Sequence, residues 1–266
     1  MKPPVLSVRE LTVTHRATSL TANVVDRISF DLHASEILAL VGESGCGKTK
    51  TAEAILRLLP ENVWKIRAQA VQLGDTNLAV LPEPDMRKIR GSAVSMIFQE
   101  PLTALDPVFT VASQLRSVFT RHRGMGSREA RSASKAMLES VGFAQPDHIM
   151  RSYPHQLSGG MRQRIMIAMA MACRPRVLIA DEPTTALDVT TQAQVLGQLT
   201  RLGQQFGTSI LLITHDLGVV AQYCDRAAVM HNGKIVEQAK VGELFSSPQH
   251  DYTRSLLQTA IQGIVA

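Results

Sequence analysis

Two runs near the start of the chain, LSVRELTVTH (6–15) and VVDRISFDL (24–32), are short and β-like, and both predict strands. ILALVG (37–42) is apolar throughout and stops at glycine, the pattern of a strand buried on both faces. From Thr49 to Leu59 the apolar residues recur at helical spacing, and Pro60 is the expected stop. A short strand-like run at Ser95–Phe98 precedes Gln99, and 101–156 reads mostly as helices, broken near Gly124 and around Pro146. A helix over Met161–Cys173 is closed by Arg174 and Pro175, and VLIAD (177–181) is again a buried strand. A helix over Val189–Phe206, the strand SILLIT, a helix over Leu217–Tyr223 and a hairpin turning at Asn232-Gly233 complete the series. Strands alternating with helices predict an α/β fold whose parallel sheet is covered on both faces.

Composition narrows the setting. The chain has 266 residues, 45% of them hydrophobic, enough for a substantial core without crosslinks. Its three cysteines, Cys46, Cys173 and Cys224, are scattered, which predicts a reducing compartment. No apolar stretch is long enough for a signal peptide or a membrane span, so the chain is expected in the cytoplasm. A net charge of +5 admits nucleic acid, an anionic membrane surface or an anionic ligand. With 4% aromatic residues and no long basic run, nucleic acid is not expected, and RHRG (121–124) reads as a solvated helix end.

The chemistry begins after the buried strand. Gly42-Glu43-Ser44-Gly45-Cys46-Gly47-Lys48-Thr49 fits G-x-x-x-x-G-K-[ST], placed between a strand and a helix as a phosphate-binding P-loop requires. Successive backbone N–H groups and the helix N-terminus can surround phosphates. Lys48 would reach the β- and γ-phosphates and the Thr49 hydroxyl would bind Mg²⁺, which implies ATP and Mg²⁺ as cofactors. Lys50 follows directly and joins the candidate nucleotide contacts. The strand VLIADE ends in two adjacent carboxylates at the edge where open α/β sheets bind ligands. With a P-loop upstream, Asp181 is the candidate Mg²⁺ partner and Glu182 the candidate general base for an attacking water.

Leu157-Ser158-Gly159-Gly160-Met161, followed by Arg-Gln-Arg, resembles the signature of ABC ATPases, with Met161 where the family usually has glutamine. Ser158 with Gly159 and Gly160 also reads as a helix N-cap, itself an anion site. Further family motifs follow in order. Gln99 matches the Q-loop, which senses Mg²⁺ and the attacking water; Thr185-Ala186-Leu187-Asp188 matches the D-loop at the dimer interface; and His215 matches the switch histidine. The resemblance implies a P-loop NTPase (RecA-like) core with an N-terminal antiparallel β subdomain over 1–98 and 161–245. It also implies an inserted α-helical subdomain over 99–160 and a C-terminal tail over 246–266. It places the signature on the γ-phosphate of the opposite subunit, so one chain alone lacks a complete site. It also brings His15 to the place of the family's adenine-stacking aromatic.

Glu100-Pro101-Leu102-Thr103-Ala104-Leu105-Asp106-Pro107 and the terminal SSPQHDYTRSLLQTA are similar to the oligopeptide, dipeptide and nickel importer branch. That branch implies a head-to-tail dimer with a second ATPase subunit, expected to be a sister chain, under two transmembrane permease subunits fed by an extracytoplasmic binding protein. The cargo stays open between peptide and nickel or another metal chelate. With no cysteine after Cys224, an iron–sulfur cluster is not expected. Phe109, Val111 and Leu115 are candidates to line the groove that receives a permease helix. The implied location is the cytoplasmic face of the inner membrane, peripherally bound. The alternatives are a soluble ABC ATPase working on nucleic acid or ribosomes, and a regulatory module without hydrolysis. Single-cassette content weighs against the first, and the presence of Lys48, Asp181, Glu182 and His215 against the second.

Overall fold

The computed structural model describes residues 3–17, 23–99, 104–185 and 187–265, with side chains to 259. Glu100, Pro101, Leu102, Thr103 and Ala186, singled out above, lie outside them. The chain divides into two compact units, Met1–Met86 with Ser209–Ala266, and Arg87–Thr208.

In the first unit β1 (Leu6–His15) pairs antiparallel with β2 (Asn23–Leu32), β4 (Trp64–Arg67) and β5 (Ala70–Leu73), and β6 (Thr76–Asn77) borders β5. Glu10 and Arg27 take positive φ where the β1–β2 register shifts, marking bulges that twist the ribbon. A second sheet has the order β11-β10-β3-β9, from β3 (Ile37–Val41), β9 (Ser209–Thr214), β10 (Arg226–His231) and β11 (Lys234–Lys240). β3 runs parallel to both neighbours and is apolar along its length because no face of it meets water. The β10–β11 hairpin turns at Asn232 and Gly233, both at positive φ, as a two-residue turn matched to strand twist requires.

α1 (Lys48–Ile55) starts at the P-loop and stops earlier than Pro60 suggested. Arg57 adopts a left-handed φ of 51° while Leu58 N–H donates to the Glu53 carbonyl, a Schellman ending that terminates the helix before proline is reached. α2 (Glu83–Ile89) leads into the second unit, where β7 (Val94–Ile97) and β8 (Val177–Asp181) pair in parallel. Its helices are α3 (Val111–Arg123), α4 (Ser127–Ser140), α5 (Pro146–Arg151), α6 (Gly159–Met171) and α7 (Val189–Phe206). α3 is capped by Thr110 and ends on left-handed Gly124, and α5 opens on Pro146, the two breaks expected from the sequence. Val111 and Leu115 are fully buried under α3, so neither lines an open groove; only Phe109, just before the helix, is exposed. The apolar i, i+4 stripe of α3 is core.

The first unit closes with α8 (Leu217–Tyr223), α9 (Val241–Ser246) and α10 (Asp251–Val265). Val41 and Val229 share a buried cluster with Val220, Leu244 and Leu257, which ties these helices to the sheet beneath the P-loop. Among the described residues no helix is long and apolar enough to cross a membrane.

Candidate functional site

The P-loop is held by contacts only glycine tolerates. A Cβ on Gly42 would stand 2.1 Å from the Met230 carbonyl oxygen, and one on Gly47 would stand 2.6 Å from the Val24 carbonyl oxygen. Gly47 also has φ 110°, in the left-handed half of the map. Lys48 is buried, and its ammonium donates to the Gly42 and Glu43 carbonyls, each at 2.8 Å. Thr49 and Thr51 follow on α1, and Thr51 Oγ1 donates to the Gly47 carbonyl at 3.0 Å. Exposed Ser44 and Gly45 form the outer arc. Cys46 is buried against the lysine; burial raises its thiol pKa, with the Lys48 charge pulling the other way. Lys50 pairs instead with Glu53 at 2.6 Å and lies 5.2 Å from the Trp64 ring centroid. His15 meets Trp64 edge-on, centroids 4.8 Å apart, because β1 and β4 pair them directly. His215 is exposed immediately after β9, and Asp216 beside it caps α8.

In the second unit β8 delivers the carboxylate pair. Asp181 is its last residue and is 1% exposed. Glu182 turns the chain at a left-handed φ of 43°. Its Oε2 accepts from Gln99 Nε2 at 3.0 Å and from Thr185 Oγ1 at 2.9 Å. Two donors on one oxygen fix how this carboxylate is turned.

The signature residues form a pocket of about 310 Å³ with Met161, Arg164 and Thr191. Ser158 Oγ accepts the Met161 N–H at 3.3 Å and caps α6, whose first turn supplies Gly159 and Gly160. A Cβ on Gly160 would stand 2.6 Å from Thr191 Cγ2. Thr191 cannot yield easily, because Asp188 accepts both its N–H (2.9 Å) and its hydroxyl (2.6 Å). Those bonds hold the Asp188 carboxyl below its ordinary pKa. The helix N-terminus, Arg164 and the small residues suit an anionic group.

A third feature is an apolar pocket of about 210 Å³ beside Gln99, lined by Phe98, Leu105, Val118, His122, Met166 and Met169. Phe98, Val108 and Phe109 are exposed near it in sequence. Gln99 and Glu182 are thus joined directly, while Lys48, Thr49 and His215 belong to the first unit. Thr185 and Trp64 were missed as individual contacts: a threonine in a turn and a tryptophan in a short edge strand carry no signal until partners are known.

A glycine loop that holds a buried lysine at the start of a helix is the phosphate-binding loop of a P-loop protein. A family model described as ABC transporter matches residues 25–185. The oligopeptide transport ATP-binding protein AppD of Bacillus subtilis (strain 168) is 52% identical over 233 residues, 88% of this chain and 71% of that protein. The peptidoglycan transport ATP-binding protein YejF of Agrobacterium fabrum is 48% identical over 260 residues, 98% of this chain and 48% of YejF, so the chain spans about half of that relative's length. The solved dimeric structure of MJ0796, a bacterial ABC transporter cassette, superposes with a TM-score of 0.77 at 25% identity, covering 89% of this chain and 98% of that one. The chain belongs to the ABC transporter family, among its ATP-binding subunits.

Proposed function

We propose that the chain is the ATP-hydrolysing subunit of an importer that takes up peptides through partner permease subunits. The oriented Glu182 carboxylate carries this reading, because Gln99 and Thr185 spend two hydrogen bonds on one oxygen of an otherwise strained turn. Lys48 neutralises the β- and γ-phosphates, and Glu182 takes the proton of the attacking water while His215 supports the γ-phosphate. The hard oxygen donors Thr49 and buried Asp181 fit Mg²⁺, which arrives on the nucleotide and needs few protein ligands. Mg²⁺ supplies charge neutralisation on the phosphate oxygens. Gln99, which donates to Glu182, would offer its side-chain oxygen to the metal. His15, backed by Trp64, offers the adenine a stacking surface.

The signature pocket with Ser158, Gly159, Gly160 and Asp188 serves the nucleotide held by a partner subunit, a sister chain docked head to tail. The apolar pocket next to Gln99, with exposed Phe98 and Phe109, receives the permease helix. The helical subdomain over 99–160 is the part of the chain that meets the permeases. Binding ATP more tightly in the closed dimer than in the open one is what drives the permeases. The assembly sits on the cytoplasmic face of the inner membrane and is fed by a binding protein outside it.

Peptide cargo is preferred to a nickel chelate because the curated relatives are named for oligopeptide, dipeptide and glutathione transport. The test is ATP-driven uptake into vesicles carrying the assembled complex. Accumulation of labelled di- or oligopeptide supports the reading; accumulation of a nickel chelate alone contradicts it.

A further inference from the structure

We infer that Tyr252 is a positioning residue for ATP binding: it fixes the Gly42–Glu43 peptide group, the same group whose carbonyl holds Lys48. The Glu43 N–H donates to Tyr252 Oη at 3.3 Å, and the Gly42 carbonyl, at the other end of that peptide plane, accepts from Lys48 Nζ at 2.8 Å. Rotating the plane would break both bonds together. Lys48 also leans on the Glu43 carbonyl at 2.8 Å, so this short stretch sets where the ammonium lies before phosphate arrives. The inference rests on the ATP-binding reading above.

Tyr252 is held through its ring, its backbone and the start of its helix. Its ring stacks on His231, with centroids 3.8 Å apart and planes 29° apart, and Asn232 Nδ2 lies 3.0 Å from His231 Nε2. The Tyr252 N–H donates to His250 Nδ1 at 3.1 Å. Just before α10, the Glu237 carboxylate accepts the N–H groups of Gln249 (2.8 Å) and His250 (2.9 Å), fixing where the helix begins. Further along α10, Leu257 joins the buried cluster that contains Val41, the residue preceding Gly42. The β10–β11 turn grips the other side of the loop, with the Gly233 N–H donating to the Cys46 carbonyl at 3.1 Å. Met230, one residue before His231, is what forbids a side chain on Gly42. The P-loop is therefore clamped by the hairpin and α10 together, and Tyr252 is a side chain through which α10 touches it. Burial holds the phenol above its ordinary pKa, so it remains a neutral hydroxyl across physiological pH.

Equilibrium binding of Mg-ATP to the full chain tests this with wild type, Tyr252→Phe, Lys48→Ala and the double variant. Tyr252→Phe keeps the ring on His231 and removes only the hydroxyl. It is expected to weaken ATP about five-fold, the effect of one neutral hydrogen bond, with the nucleotide-free melting temperature lowered by no more than about 4 °C. In the Lys48→Ala background the same change is expected to cost less than about two-fold, since the two act through one peptide group. His231→Ala, which removes the support under the phenol, is expected to weaken ATP in the same direction. Unchanged ATP affinity in Tyr252→Phe, or an equal loss with and without Lys48, overturns the inference. If wild type itself fails to bind Mg-ATP, the ATP-binding reading falls first and the inference with it.

Discussion

Gln99 Nε2 donates to Glu182 Oε2 at 3.0 Å, tying the end of β7 to the end of β8, and Thr185 adds a second donor to the same oxygen. Hydrogen bonds to a charged group are worth about 1.5–3 kcal/mol, so each donor bears on how the carboxylate is aimed. Gln99→Ala and Thr185→Val are each expected to lower kcat for ATP hydrolysis about ten-fold while leaving ATP affinity within about two-fold. Steady-state phosphate release beside equilibrium binding checks this; a loss confined to affinity would contradict it.

The P-loop glycines separate two kinds of constraint. Gly45 has φ 82° but nothing within 4 Å of an added Cβ, so Gly45→Ala carries only the backbone penalty of about 1–2 kcal/mol. In Gly42→Ala the new atom would meet the backbone of Met230, which cannot move without shifting β10. That variant is expected to melt lower than Gly45→Ala and to lose ATP binding outright, as read by thermal denaturation with and without Mg-ATP.

Phe109 and Leu115 sit six positions apart and answer to different forces. Leu115 is fully buried, so Leu115→Ala is expected to destabilise the chain by about 2–5 kcal/mol in urea unfolding. Phe109 is 51% exposed, so Phe109→Ala is expected to leave stability within about 0.5 kcal/mol and to lower ATP-driven uptake in the assembled complex.

Two of the three thiols give a pH test. Burial raises the Cys46 thiol above its ordinary pKa despite nearby Lys48, so its thiolate population keeps growing as pH rises past the usual thiol range. Maleimide labelling of Cys46 is therefore expected to be slow at pH 7, to accelerate beyond pH 9, and to be suppressed by Mg-ATP over the loop. Cys224, pushed up to about 12 by burial and then by Asp225, is expected to stay unlabelled in the native chain over that range. Mass mapping of labelled peptides reads both.

Much of this was legible in the sequence because local rules and global fold agree. The P-loop spacing, the apolar strand β3, the apolar run of β8 up to Asp181, the break at Gly124 and the Asn232-Gly233 turn each follow from short-range chemistry. What was not legible depends on contacts across the fold. The apolar spacing of Val111 and Leu115 reads the same whether a helix face meets the core or a partner, and only packing shows it to be core. The end of α1 was set by a left-handed arginine, a conformation that residue type does not announce. Tyr252 lies 209 positions from Glu43, and no periodicity links them.

The assignment of Glu182 as the base that activates water is tested most directly by phosphate release from Glu182→Gln at saturating Mg-ATP, in the assembled complex. The account predicts ATP binding retained, a dimer that stays closed on the nucleotide, and hydrolysis reduced by at least about 100-fold. Hydrolysis at the wild-type rate would contradict it.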